Sequence, residues 1–268
     1  MMSENTRVTQ KAGIGSDTTQ IATQNNYYGM SGEDASKLAI KLFQENFPIL
    51  QEEAKAVAEQ RVDEFCSRII NELVEHGKND FSEFSDPDMQ YVLYKAQQEY
   101  ARFGTDDLLE ILSKILVERV RYNDNQYMKI ILDEAIEVAK VLKPEHLNYM
   151  TLIFFCKQVV FKEVKSKDTL KEHLEYICSV LPVPSDIHLC CPFLNMMRLL
   201  ELQLGYATQK LSEKYKIEKE IVEEIAPEEI QKIPGDYALS PVGIVIAIIN
   251  AQNKTKYQFD YKKWIKNI

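Results

Sequence analysis

The sequence predicts an all-α protein: a multi-helix bundle or solenoid-like stack with a short β-prone N-terminal segment and a minor C-terminal strand. Three observations carry that prediction. Apolar residues recur at helical spacing from residue 31 to beyond residue 200, which sets them on one face of successive helices. Asp-Pro, Ser-Pro and Gly signals punctuate these runs where helices start and stop. Alternation at period two is read at the two ends of the chain. At 268 residues the chain can bury a substantial core.

Taken in order, Ser31 is placed to cap a first helix over 31–45, with Asp34 completing an approximate capping box. Ala35, Leu38, Ala39, Leu42 and Phe43 share its inner face. Asn46-Phe47-Pro48 marks a junction, because proline disfavours helix at the residue before it. The longest helix follows and closes at Gly77; Leu50, Val57, Phe65, Ile69 and Leu73 hold its spacing, and it is expected to be the spine. Phe81 and Phe84 should tuck against it from a loop. Asp86-Pro87 opens a helix that Gly104 ends, and Thr105-Asp106-Asp107 opens another with Leu108, Leu112, Ile115 and Leu116 inward.

Further helices are expected over 125–141 and 143–164. The second is apolar on every side at 152–156, the pattern of a nearly encircled helix. Asp168 should cap the next, and Pro182 and Pro184 lie beyond its end. A helix over 185–206 should kink at Cys191-Pro192. From 209 to 232 charges dominate, as in a solvated helix pair or a mobile connection. Ser240-Pro241 starts a short helix through Ala251, and its run 242–249 is too short to span a membrane and suits a buried core helix. Tyr257, Phe259 and Tyr261 alternate with polar residues, which predicts the minor strand, and Trp264 and Ile265 can dock the terminus. The expected divisions are 1–30, 31–207 and 208–268.

Residues 10–31 are nearly uncharged and rich in Gln, Asn, Thr and Gly. A short segment with β-propensity, low net charge and no proline suits stacked strands, in which Asn and Gln side chains ladder and tyrosines stack. It has too few large apolar residues to fold alone. Strand pairing falls to Gln20, Ile21, Ala22 and Thr23, laddering to Gln24, Asn25 and Asn26, and ring stacking to Tyr27 and Tyr28. Residues 19–25 resemble the receptor-interacting-protein homotypic interaction motif and the prokaryotic amyloid-signalling motifs. Thr19 stands where that pattern has its first apolar residue and Ala22 where it has glycine.

No catalytic signature emerges. His173, Cys178, His188, Cys190 and Cys191 are the best metal candidates, but their spacings are not those of zinc sites, and no metal or cofactor is expected. Asp86, Asp88, Asp106 and Asp107 sit at helix starts, where carboxylates answer free N–H groups and the helix dipole. No phosphate loop, nucleophile elbow or His-Glu-x-x-His pair occurs. The net charge of −9 argues against phosphate neutralisation, so nucleic acid is not an expected partner. Lys254, Lys256, Lys262, Lys263 and Lys266 interleave with Tyr257, Tyr261 and Trp264 as a charged rim over docked aromatics. Five cysteines within helical patterns read as reduced core thiols, and the N-terminus lacks an apolar signal run, so a cytoplasmic location is expected.

Several blocks are similar to an uncharacterised bacterial family associated with mobile-element and phage-conflict loci. They include Gln10-Lys11-Ala12-Gly13, Tyr28-Gly29-Met30-Ser31, Asp86-Pro87-Asp88-Met89-Gln90, Leu239-Ser240-Pro241-Val242-Gly243 and Trp264-Ile265-Lys266. The resemblance implies a bacterial or phage-related setting and supplies no catalytic residues. The functional expectation is a non-enzymatic scaffold or adaptor that self-associates or recruits a protein partner through residues 10–30, in bacterial antiviral defence. The alternatives are a metal- or carboxylate-dependent nuclease or nucleotide hydrolase with a cleft between helices, and a membrane-perturbing effector acting through 244–249.

Overall fold

The structure is a computed structural model that describes the backbone of residues 10–11, 17–18, 32–77 and 81–265, and the side chains of residues 51–77 and 81–265. The chain divides into two compact units, Met1–Ala56 and Val57–Ile268. In the first, β1 (Gln10–Lys11) pairs antiparallel with β2 (Asp17–Thr18), which sets Lys11 opposite Asp17. The helix α1, Gly32–Glu75, begins in this unit and ends in the second. It runs through Pro48 without the expected junction: proline forfeits one ladder bond, and the turns on either side keep the helical register. Ser31, the expected cap, lies outside the described residues.

Among the described residues, the second unit is all-α apart from one small sheet. Its helices are α2 (Pro87–Phe103), α3 (Asp106–Arg121), α4 (Gln126–Ala139), α5 (Pro144–Lys157), α6 (Lys167–Val180), α7 (Cys191–Met196), α8 (Ala207–Tyr215), α9 (Lys219–Ile225), α10 (Glu228–Gln231) and α11 (Pro241–Lys254). The sheet joins β3 (Leu200–Leu202) to β4 (Tyr237–Leu239).

Local signals set most boundaries. The Asp86 carboxylate accepts from the N–H groups of Asp88 and Met89 at 2.9 and 3.2 Å, with Pro87 in the first turn. Gly104 ends α2 in the left-handed conformation at φ 60°. Asn125 caps α4, and Ser240 caps α11 through the Gly243 N–H at 3.2 Å. Phe81 and Phe84 do pack against the core, half-buried.

Other expectations are corrected. The helix expected over 143–164 stops at Lys157 because Lys214 Nζ, 3.0 Å from the Phe155 carbonyl and 2.8 Å from the Val159 carbonyl, answers its free carbonyl end. Ser166, not Asp168, caps α6. The kinked helix expected over 185–206 is a 3₁₀ turn at Ile187–Cys190, the short α7 with Pro192 in its first turn, and then β3. Proline starts the helix here instead of bending it, and Arg198, at φ 57°, turns the chain into the strand. The charge-rich stretch forms α8, α9 and α10, which bury Leu211, Val222 and Ile230. The minor strand falls at Tyr237–Leu239, not at 257–261. There the alternating aromatics pack on the α5 rings: Phe259 lies 5.3 Å from Phe154, and Tyr257 lies 6.0 Å from Phe155.

The spine is α11, not the long N-terminal helix. Among the described side chains of α1, Phe65, Ile69, Leu73 and Glu72 are buried in a narrow stripe, while Val57, Ile70 and Val74 are exposed. By contrast every residue of α11 from Gly243 to Ala251 is buried, and α11 packs against α3, α4, α5 and β4. Burying its isoleucines contributes about 2 kcal/mol each. One polar chain crosses the α5–α11 contact. Asn250 Nδ2 donates to Thr151 Oγ1 at 2.9 Å and to Asn148 Oδ1 at 3.3 Å, and Asn148 Nδ2 donates to the Pro182 carbonyl at 2.9 Å. A second buried device is Arg119, fully enclosed, whose Nη2 and Nε reach Asp88 and Asp133 at 2.6 and 2.8 Å and tie α3 to α2 and α4. Burial outweighs that guanidinium and holds the Asp133 carboxyl above the usual range.

Two measurements check this packing. A Cβ at Gly243 would strike the Leu199 carbonyl oxygen, a backbone atom that cannot swing away. Gly243→Ala should therefore destabilise the protein by about 1–3 kcal/mol in urea unfolding. His173 packs 4.1 Å from the Phe161 ring with Nδ1 3.3 Å from the Tyr257 hydroxyl, and burial lowers its pKa from 6.5 to about 4. The unfolded chain then binds the proton first, so this contribution is intact above pH 6.5. It is lost as pH falls toward 4, by up to about 3 kcal/mol. His173→Gln should flatten that slope.

Candidate interaction surface

The β3–β4 pair is the candidate, because its two outer edges are treated differently. The register sets Leu200 opposite Leu239, Glu201 opposite Ala238 and Leu202 opposite Tyr237. Hydrogen bonds extend the pairing beyond the strands: Ser240 N–H donates to Leu199 O at 3.0 Å, Gln203 N–H to Asp236 O at 3.0 Å and Gly205 N–H to Gly235 O at 2.7 Å. Antiparallel pairing alternates bonded and non-bonded pairs. Residues 199, 201 and 203 therefore address β4, and the backbone groups of Leu200, Leu202 and Leu204 point to the outer edge. Tyr237 likewise points away from β3 on the other side.

That far side of β4 is closed. Lys157, the last residue of α5, donates from Nζ to the Tyr237 carbonyl and, at 2.7 Å, to the Pro234 carbonyl. A lysine at this position also favours the negative end of the α5 dipole. Burial pushes its ammonium down to about 8, so the cap is held at an electrostatic cost. Ala238 and Leu239 are buried beside it.

The outer edge of β3 has no strand partner among the described residues. Leu202 and Leu204 are 83% and 87% exposed, and Tyr206 is 59% exposed. Met196 in α7 and Leu189 in the preceding turn are also exposed. An open strand edge bearing aliphatic side chains is a template for pairing with another chain, and edges that must stay single are usually guarded by charge, proline or a bulge. Gly205, at φ 124°, ends the edge at a turn that a side chain would strain.

The residues expected to pair, Gln20, Ile21, Ala22, Thr23, Gln24, Asn25, Asn26, Tyr27 and Tyr28, lie outside the described residues. The β3 edge was legible in the alternation of Leu200, Leu202 and Leu204 up to Gly205, a period-two signal that the helical reading of 185–206 overrode. Of the metal candidates, Cys191 Sγ lies 3.6 Å from the Tyr149 hydroxyl. Burial raises the Cys178 and Cys190 thiols to about 12. The described residues hold no group of three or more side chains that could grip a metal. Asp88 pairs with Arg119 and, at 2.9 Å, with Lys129, while Asp106 and Asp107 occupy the first turn of α3. Residues 244–249 are core, and no helix among the described residues is long and apolar enough to cross a membrane.

A protein-family model with the description ":-like" matches residues 29–232. No curated protein and no solved structure matches the chain.

The Lys157 cap has a direct test. Lys157→Met keeps the stem but strands two carbonyls, and urea unfolding at pH 7 should show a loss of about 2–3 kcal/mol. The variant's β4, newly open, should also raise the tendency to aggregate in static light scattering.

Proposed function

The chain belongs to the family whose model covers those residues, and from that premise we propose that the protein is a non-enzymatic helical scaffold that self-associates by strand addition. Residues 20–28 of one copy add to the outer edge of β3 in a second copy. The observation that carries this reading is the asymmetry of the sheet: Lys157 closes β4, while β3 and the segment that continues it present Leu202 and Leu204 to solvent.

Charge supports the choice of occupant. Residues 18–32 contain no Asp, Glu, Lys or Arg, so the segment brings no ion against those two leucines. Main-chain hydrogen bonds supply affinity in strand addition, and alternate side chains supply register. Gln20, Ile21, Ala22 and Thr23 form the added strand, Gln24, Asn25 and Asn26 ladder along it, and Tyr27 and Tyr28 stack beyond. The setting we propose is bacterial antiviral defence, on the family resemblance given above.

Light scattering on the purified full chain tests the reading. The full chain should run as a multiple of its own mass. A chain lacking residues 1–30 and a Leu202→Lys/Leu204→Lys variant should both run as monomers with unchanged far-ultraviolet circular dichroism, since lysines on an edge block pairing. A monomeric full chain, or variants with undiminished mass, would end it.

A further inference from the structure

The link from α5 to α6 and the segment from the end of α11 are two lysine-rich stretches that the fold brings together. Lys162, Lys165 and Lys167 lie in the first, and Lys254, Lys256, Lys262 and Lys263 in the second; all seven are exposed. The Tyr257 ring lies 4.7 Å from Phe161, and Lys256 Nζ sits 5.5 Å over the Tyr176 ring of α6. Residues 162–167 and 254–263 contain two carboxylates, Glu163 and Asp260, so together they carry a surplus of five positive charges. The net charge of −9 conceals this surplus, because it averages over the whole chain.

These lysines also lack acidic partners. Elsewhere in the second unit Lys95, Lys114, Lys129, Lys140, Lys219 and Lys232 each pair with a carboxylate. Among the described residues none of the seven does. A cavity of about 270 Å³ opens between the two stretches. Tyr257, Phe259 and Trp264 supply its rings, Lys162 and Lys263 its cations, and Glu163 and Asp260 its carboxylates. The Asp260 carboxylate is already engaged, accepting from the Lys262 N–H at 3.1 Å. Phe154 of α5 supports two of the rings from within, 5.3 Å from Phe259 and 5.1 Å from Trp264. All three cavity rings stay half-buried.

Charge and shape together select the partner. Neither stretch contains arginine, the residue suited to bidentate grip of carboxylates, whereas lysine binds phosphate as a point charge. Insertion into a lipid surface needs protruding apolar side chains. Among the described apolar residues of the cavity, Val160 alone is exposed. Recessed rings flanked by lysines instead match a strand of unpaired bases, whose π-faces stack on aromatics while its backbone tracks positive charge. We infer that this groove binds single-stranded nucleic acid, with phosphates along the lysines and a base against Tyr257, Phe259 or Trp264. The groove shares no residue with the β3 edge or with residues 20–28, so strand addition can fail without it.

Trp264 is the one tryptophan in the chain, so its fluorescence reports on the cavity. The full chain is titrated with an oligothymidylate and an oligouridylate, and with polyglutamate and phosphatidylserine vesicles as acidic polypeptide and acidic lipid. Either oligonucleotide should quench Trp264, and the tighter of the two identifies the sugar. Lys162→Gln/Lys263→Gln should weaken binding about tenfold and reduce the slope of log K against log salt by about 1.4. Both positions are exposed with no ion pair to lose, so the circular dichroism melt should not change. No quenching by either oligonucleotide, binding that the folded double variant retains in full, or equal binding of polyglutamate or the vesicles would overturn the assignment.

Discussion

The close approach of α11 to the turn before β3 is the constraint on which the second unit rests. Gly243 brings the helix against the Leu199 carbonyl, and Ser240 fastens the same junction: its N–H donates to Leu199 O at 3.0 Å and its hydroxyl to Arg198 O at 2.7 Å. A helix buried along its length cannot be anchored by a solvated face, so its position follows from such backbone contacts and from the Asn250–Thr151–Asn148 chain. Once α11 is fixed, β4 is fixed at its N-terminal end, and β3 is carried to the surface beside β4.

Besides Arg119, two enclosed charges in this unit close a backbone end. Lys214 answers the carbonyls at the end of α5, and Lys157 answers those of the β4 segment. Both ammonium groups are pushed down to about 8 by burial. Each enclosed ammonium offsets its desolvation with two carbonyl oxygens, a pattern that ends elements cleanly. The outer edge of β3 stands apart, because no strand among the described residues pairs with it.

Much of the helical order was legible from short-range chemistry. Asp86-Pro87, Asn125, Ser240-Pro241 and Gly104 each act on groups within four residues, so the sequence reveals them directly. The buried run over 242–249 was also readable, since its hydrophobicity continues around the whole helix. The early end of α5 was not, because the lysine that ends it lies on another helix. Nor was the placement of the C-terminal aromatics: Tyr257 and Phe259 alternate like strand residues, yet they serve as plugs on the rings of α5. Period two describes which side chains face inward without requiring a strand partner to exist.

By itself the sequence determined the all-α class, the uncharged leader and the apolar helix destined for the core, because composition and periodicity act locally. Only the tertiary structure decided that β4 would be capped and β3 left open. Lys157 and Tyr237 are 80 residues apart, and their meeting depends on how α5 seats against α11. The same holds for Tyr122 and Tyr261, whose rings meet edge to face because two distant segments are folded together there. Long-range proximity is a property of packing, and no local pattern of residue types encodes it.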